Sequence, residues 1–206
     1  MLWVILALAL AAAYLAWRLG WLNASGAGSA VALALAVWAG GGWSAILALA
    51  AYFLLANLAG LAAPQHHPKR SGWQVWANGG AATAGLLGGS FEFYLAALGA
   101  SLADTAASEV GARAPWAWKF PRGRVASGSN GAISPLGTLA LIVAGGMFAL
   151  LATWLGSNGW AIWLGAVSGA CADSLLSWGE ERYPWWGNDW TNFMATLVGG
   201  AISLAV

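Results

Sequence analysis

The sequence predicts an all-α, polytopic membrane bundle of about eight transmembrane helices, and three features predict it. Hydrophobic residues make up 60% of the 206 residues and charged residues only 7%; mean hydropathy is +0.69. A soluble domain carries roughly 25% charged residues, so this chain could not solvate a surface of its own. The apolar residues also fall into runs close to the ~17–25 residues that cross a bilayer. Finally, the 16 tryptophans gather at run ends and in loops, as at Trp21, Trp43, Trp116, Trp118, Trp160, Trp178, Trp185 and Trp186. Amphipathic rings of this kind settle at membrane interfaces.

Taken in order, the runs give helices at about 2–18, 25–40, 43–63, 73–89, 91–110, 136–155, 159–177 and 191–206. The first lacks a basic n-region and outlasts the apolar stretch of a cleaved signal, so it reads as a retained span. Only GGGW separates the second from the third, and one long broken helix is the alternative there. Residues 1–206 form one catalytic domain without a convincing internal repeat, which weighs against an inverted-repeat transporter. Abundant Gly and Ala permit close helix packing, with Gly145 and Gly146 the expected contact.

Charge sets the orientation, because Lys and Arg collect on the cytoplasmic side. With eight spans, Arg18, Lys69, Arg70, Arg113, Lys119, Arg122, Arg124 and Arg182 all fall on one face, which leaves both termini on the non-cytoplasmic side. Of the acids, only Glu92 falls on the far side. A net charge of +1 and the lack of a dense basic stretch exclude a nucleic-acid surface. The single Cys171 allows no intramolecular disulfide and reads as a small buried packing residue. His66 and His67, with no other His or Cys nearby, read as a solvated loop.

Against this apolar background two acids stand out. Asp104 in SLADTAASEVG and Asp173 in GACADSLLSWGEE lie at or near the ends of apolar helices. A carboxylate at membrane depth costs at least ~2.5–3.5 kcal/mol, so it is kept where it meets a partner, a cation or a water-filled cavity. Asp104, Ser108 and Gly111 share one helix face, as do Asp173, Ser177 and Glu180, while Glu109 points away toward a loop cation. Gln74 shares a face with Asn78, and the last helix begins with Asn188, Asp189, Thr191 and Asn192. Carboxylate and amide oxygens gathered at one depth suit Mg²⁺, which shares its oxygen ligands with substrate phosphates. The loop KFPRGRVASGSNGAISP supplies the complement: Lys119, Arg122 and Arg124 bring charge, and Gly128 and Gly131 let backbone amides turn inward as an anion nest. The helix that starts near Ser134 adds free N–H groups and its dipole.

The segments KRSGWQVWANGG (69–80), SLADTAASEVG (101–111), SGSNGAISPLGTLA (127–140), ADSLLS (172–177) and NDWTNFMATLVG (188–199) resemble the signatures of the integral membrane family that includes plant phytyl-phosphate kinase. The likeness covers roughly residues 65–200, and it extends more distantly to dolichol and phytol kinases and to CTP-using phosphatidate cytidylyltransferases. Ala106 stands where the family often has an aromatic, and Ser177 where it usually has Gly. The resemblance implies transfer of the γ-phosphate of CTP, or another nucleoside triphosphate, to a phytyl, geranylgeranyl or farnesyl monophosphate in a prokaryotic cytoplasmic membrane. On that reading Asp104 and Asp173 ligate Mg²⁺, with Asp189 and Asn192 as helpers. Lys69, Arg70, Arg122 and Arg124 neutralise phosphates, Ser108 and Ser134 assist, and the backbone of Ser127, Gly128, Ser129, Asn130 and Gly131 cradles them. Asn78 hydrogen-bonds the acceptor phosphate or the base, and a groove between Ala- and Gly-rich helices holds the lipid tail. A homodimer is compatible with this arrangement. The rivals are a lipid cytidylyltransferase or polyprenol kinase, and a small transporter.

Overall fold

The computed structural model describes residues 1–62 and 69–206. His66 and His67 lie outside the described residues. Among the described residues there are seven α-helices and one two-stranded hairpin: α1 (Leu2–Arg18), α2 (Ala24–Gly60), α3 (Gly72–Leu87), α4 (Phe91–Gly111), β1 (Ala117–Lys119), β2 (Gly123–Val125), α5 (Pro135–Trp154), α6 (Gly159–Arg182) and α7 (Asn188–Ser203). Most helices begin at a polar residue whose side chain accepts a backbone N–H of the first turn. Asn23, Ser90, Ser134 and Asn158 do so, and Ser71 forms a reciprocal capping box with Gln74.

The expected second and third helices are the two arms of α2, joined at a kink with no loop between them. In α2 the GGG segment puts Gly42 at φ 59°, ψ −143°, a kink with a helical arm on each side. Glycine alone enters that region at little cost. A straight 37-residue helix would be about 55 Å long, yet the Trp21 ring just before α2 lies 5.8 Å from that of Phe53 in its second arm. The chain therefore folds back at Gly42, where Trp38 and Trp43 meet edge to face at 5.0 Å. The first arm follows α3, with Leu33 against Gly79. The second follows α4, with Tyr94 Oη donating to the Ala45 carbonyl at 2.7 Å.

Among the described residues, three helices are long and apolar enough to cross a membrane: α2, α5 and α6. α1 is apolar but has only 17 residues, while α4 carries Glu92, Asp104 and Glu109. α4 is the centre of the bundle, with every residue from Tyr94 to Ala103 buried. It crosses α6 and α7 closely: a Cβ on Gly169 would come 2.5 Å from that of Ala100, and one on Gly199 would come 2.7 Å from the same atom. The expected contact at Gly145 and Gly146 is ordinary packing, since added Cβ atoms would meet neighbours no nearer than 3.4 Å and 3.9 Å. The tight seam runs through Gly165, Gly169 and Gly199, because Ala96 and Ala100 of α4 press against them.

The expected irregular loop between α4 and α5 contains the β1–β2 hairpin, in which Ala117 pairs with Val125. It docks through Trp118, which exchanges backbone hydrogen bonds with Ile133 at 2.8 Å. The ends of α4 and α6 and the starts of α3, α5 and α7 converge there. The α1–α2 connection joins them, because Asn23 N donates to the Arg70 carbonyl and Arg70 N to that of Trp21, both at 3.1 Å.

Candidate functional site

At that end a cavity of about 530 Å³ opens between α3, α4, α5, α6, α7 and the loop before α5. Asp104 and Asp173 both line it. Their carboxyl groups are within hydrogen-bonding reach of each other, and the buried Oδ1 of Asp173 has no partner. Glu109 and Glu180 are close enough to act on the charge of Asp104. Ser108 and Gly111 follow Asp104 along the same wall, as the i, i+4, i+7 spacing requires. Glu109, expected to point away from the face of Asp104, lines the cavity as well. The signal that could have found it is its i, i+4 spacing from Thr105, which lines the cavity too.

In the loop that shares the cavity with the two acids, glycine stands where the backbone is left-handed, while the Ser129 amide already donates to the Ala126 carbonyl at 3.3 Å. Gly128 and Gly131 take φ +80° and +65°, and the residues from Gly128 to Ser134 line the cavity. Gly131 also needs its missing Cβ for space, because one there would collide with the side chain of Ser177 and approach the Ser174 carbonyl at 3.2 Å. Asn130 is held from two sides: its Nδ2 donates to Glu180 Oε2 at 2.7 Å, and its carbonyl accepts from Lys119 Nζ. Ser127 is not on the cavity wall; its Oγ is buried without a partner. The start of α5 offers fewer free amides than expected. Pro135 has no N–H, and the Gly137 amide donates to Ser134 Oγ at 3.0 Å. Ser134 Oγ also donates to the Gly111 carbonyl at 3.2 Å, where α4 and α5 cross glycine on glycine.

The basic residues of the loop do not enter the cavity. Lys119 is buried and its Nζ lies 2.7 Å from Glu181 Oε1; Arg122 Nη1 reaches the same oxygen at 3.1 Å. Arg124 lies over the Trp116 ring, 5.4 Å from its centre. Glu181 holds Lys119 and Arg122 and the Trp116 ring holds Arg124, so the phosphate-neutralising roles expected of Arg122 and Arg124 are not supported by their positions. Lys69 is exposed and runs alongside Gly20. Arg70 does line the cavity, with Gln74 and Asn78 one and two turns along α3. Asn78 donates through Nδ2 to the Gln74 carbonyl at 2.8 Å and accepts through Oδ1 from Ser101 Oγ at 2.8 Å, which leaves one amide hydrogen for a ligand. On α7 the wall is Asn188 and Asn192, not Asp189; at 100° per residue Asp189 turns away from the face that those two share. Cys171 is likewise not a buried packing residue: it is exposed on the cavity wall.

With this geometry in view, the likeness to known proteins becomes specific, since residues 7–200 match the integral membrane protein family DUF92. The chain belongs to that family. An uncharacterized membrane protein of Synechocystis sp. is 31% identical over 216 residues, covering 88% of this chain and 81% of its own. No solved structure matches.

The DUF92 cavity also bears on a metal. Among the described residues no three His, Cys, Asp or Glu side chains form a ready cage. Two carboxylates in contact, an orphaned Asp173 oxygen and flanking amide oxygens instead fit a hard cation that takes one or two carboxylates and completes its shell with water and phosphate. Without a cation or a proton between them, such a pair repels.

Proposed function

We propose that the cavity catalyses transfer of the γ-phosphoryl group of CTP, or another nucleoside triphosphate, to a prenyl monophosphate. The observation that carries this reading is the contact of Asp104 with Asp173 opposite a glycine-rich backbone loop. Acids and an amide nest on facing walls are the arrangement a metal–triphosphate needs, since in phosphoryl transfer the protein positions reactants and balances charge. A bound Mg²⁺, held by Asp104 and Asp173 with Asn192 beside them, would neutralise the terminal phosphates. The backbone amides of Gly128, Asn130 and Gly131 donate to non-bridging oxygens. Arg70 and the free Asn78 amide hydrogen hold the acceptor phosphate. An acceptor oxygen attacks the γ-phosphorus, the bond to the β-phosphate oxygen breaks, and the nucleoside diphosphate leaves; the acceptor is already an anion, so no base is required.

The basic end, with all eight Lys and Arg, faces the cytoplasm on this reading, where the triphosphate is supplied. Six of the seven acids belong to that same end, which favours a site over an ion path across the bilayer. The test uses purified protein, Mg²⁺, a prenyl monophosphate and CTP labelled in the γ-phosphate. Label in a prenyl diphosphate with CDP as co-product supports the proposal. Label in pyrophosphate with cytidine on the lipid, or no turnover with any nucleoside triphosphate, refutes it.

A further inference from the structure

A second hollow, of about 250 Å³, lies between α1, the two arms of α2 and α3. Its walls are almost wholly apolar: Ile5, Ala9, Ala12 and Ala16 from α1 face Leu33 and Leu49 of α2. The polar residues on its wall include Arg70, Gln74 and Asn78, and these same three line the polar cavity. One face of α3, with Arg70 just before it, therefore borders both spaces as the neck between them. From Ala16 to Ile5 the α1 wall descends about 16 Å, roughly half the depth of a ~30 Å hydrocarbon core.

The neck is rigidly built. The Arg70 backbone is held by hydrogen bonds from Asn23 and to Trp21, so its side chain starts from a fixed point between the two spaces. Tyr52, on the apolar wall, hydrogen-bonds Ser101 at 2.9 Å, and Ser101 bonds Asn78 at 2.8 Å. The orientation of Asn78 is thus tied to a residue of the groove.

We propose that this groove holds the hydrocarbon tail of a single-chain lipid monophosphate, with the phosphate emerging past Arg70, Gln74 and Asn78 into the polar cavity. The occupant follows from the surroundings: an apolar sleeve with room for one chain, opening at a cation and amides beside the acids, matches a molecule with one tail and one anionic head. The small side chains at Ala9, Ala12 and Ala16 leave the width that the tail fills. This inference rests on the reading of the cavity as the phosphate site.

The full-length protein in lipid nanodiscs is irradiated with a geranylgeranyl monophosphate bearing a diazirine at the far end of its tail, and crosslinked peptides are identified by mass spectrometry. Labelling is expected within residues 2–18 and 24–60, competed by excess unlabelled geranylgeranyl monophosphate. It should fall at least tenfold in Ala12→Trp, and by less in the gentler Ala12→Leu. Ala12 is exposed, and size-exclusion chromatography checks the fold of each variant. Labelling confined to α5 or α6, labelling without competition, absent labelling, or labelling unchanged by both variants overturns the proposal. The same samples are assayed for phosphoryl transfer. Competed α1–α2 labelling without transfer leaves the tail site standing and refutes the kinase reading, whereas transfer with labelling elsewhere does the reverse.

Discussion

Two charged clusters lie at the same end of the bundle, and they are built on opposite principles. At the hairpin, Lys119 and Arg122 converge on the Glu181 carboxylate, and Lys119 also holds the Asn130 carbonyl. Each charge meets its opposite, and the pairing ties the hairpin and the glycine loop to α6. In the cavity, Asp104 and Asp173 lie within hydrogen-bonding reach of each other, with two further carboxylates, Glu109 and Glu180, near enough to act on Asp104. Like charges held together, one oxygen without a partner, weaken a fold unless something from outside joins them. On the proposed function, the difference separates charges that serve the structure from a pair of acids, Asp104 and Asp173, that binds a ligand.

That contrast can be broken by substitutions on either side of it. The largest effect belongs to the facing acids: Asp104→Asn or Asp173→Asn should lower turnover on the order of 10³-fold, while the yield of folded protein in detergent stays the same or rises because repulsion is relieved. Next is Gly131→Ala. A side chain at φ +65° costs about 1–2 kcal/mol, and Ser177 must also move, so we expect roughly a 5–30-fold loss, read mainly as a higher KM for the nucleotide. Lys119→Met should act on stability instead, lowering the thermal midpoint because Glu181 and the Asn130 carbonyl lose their common partner. The smallest effect is expected for Arg122→Gln. Its side chain is 62% exposed, and exposed ion pairs contribute about 0–1 kcal/mol, so initial rates should stay within twofold of wild type. A large loss there would return Arg122 to the reaction.

The parts legible in the sequence are those governed by period and by cost. Apolar runs gave the helices to within a few residues, and the expense of an intramembrane acid singled out Asp104 and Asp173 before their meeting in one cavity was visible. Gly128 and Gly131 were readable because only glycine suits such a loop. What the sequence hid depends on which way side chains turn and what they meet there. Arg122 and Arg124 look free until Glu181, about sixty residues later, and Trp116 claim them. Asp189 looked like a ligand and Asn188 a neighbour, but one residue of helix rotation exchanges their roles. Cys171 seemed a packing residue because its neighbours are apolar, and only the opening between helices exposes it. The fold-back at Gly42 was legible too, because with eight spans GGGW is too short to be anything but a tight reversal between two apolar runs; what it concealed is that the helical arms meet at a single kinked residue.

Cys171 offers the most direct test of the account, because it sits on the wall of the cavity that holds Asp104 and Asp173. The rate at which a maleimide alkylates Cys171 in the purified protein is measured with and without Mg²⁺ and a non-hydrolysable CTP analogue. If the metal–triphosphate occupies this cavity, Mg²⁺ and the analogue together should slow alkylation at least tenfold in the wild type, and the protection should vanish in Asp173→Asn. Equal rates with and without the ligands in the wild-type protein would contradict the account.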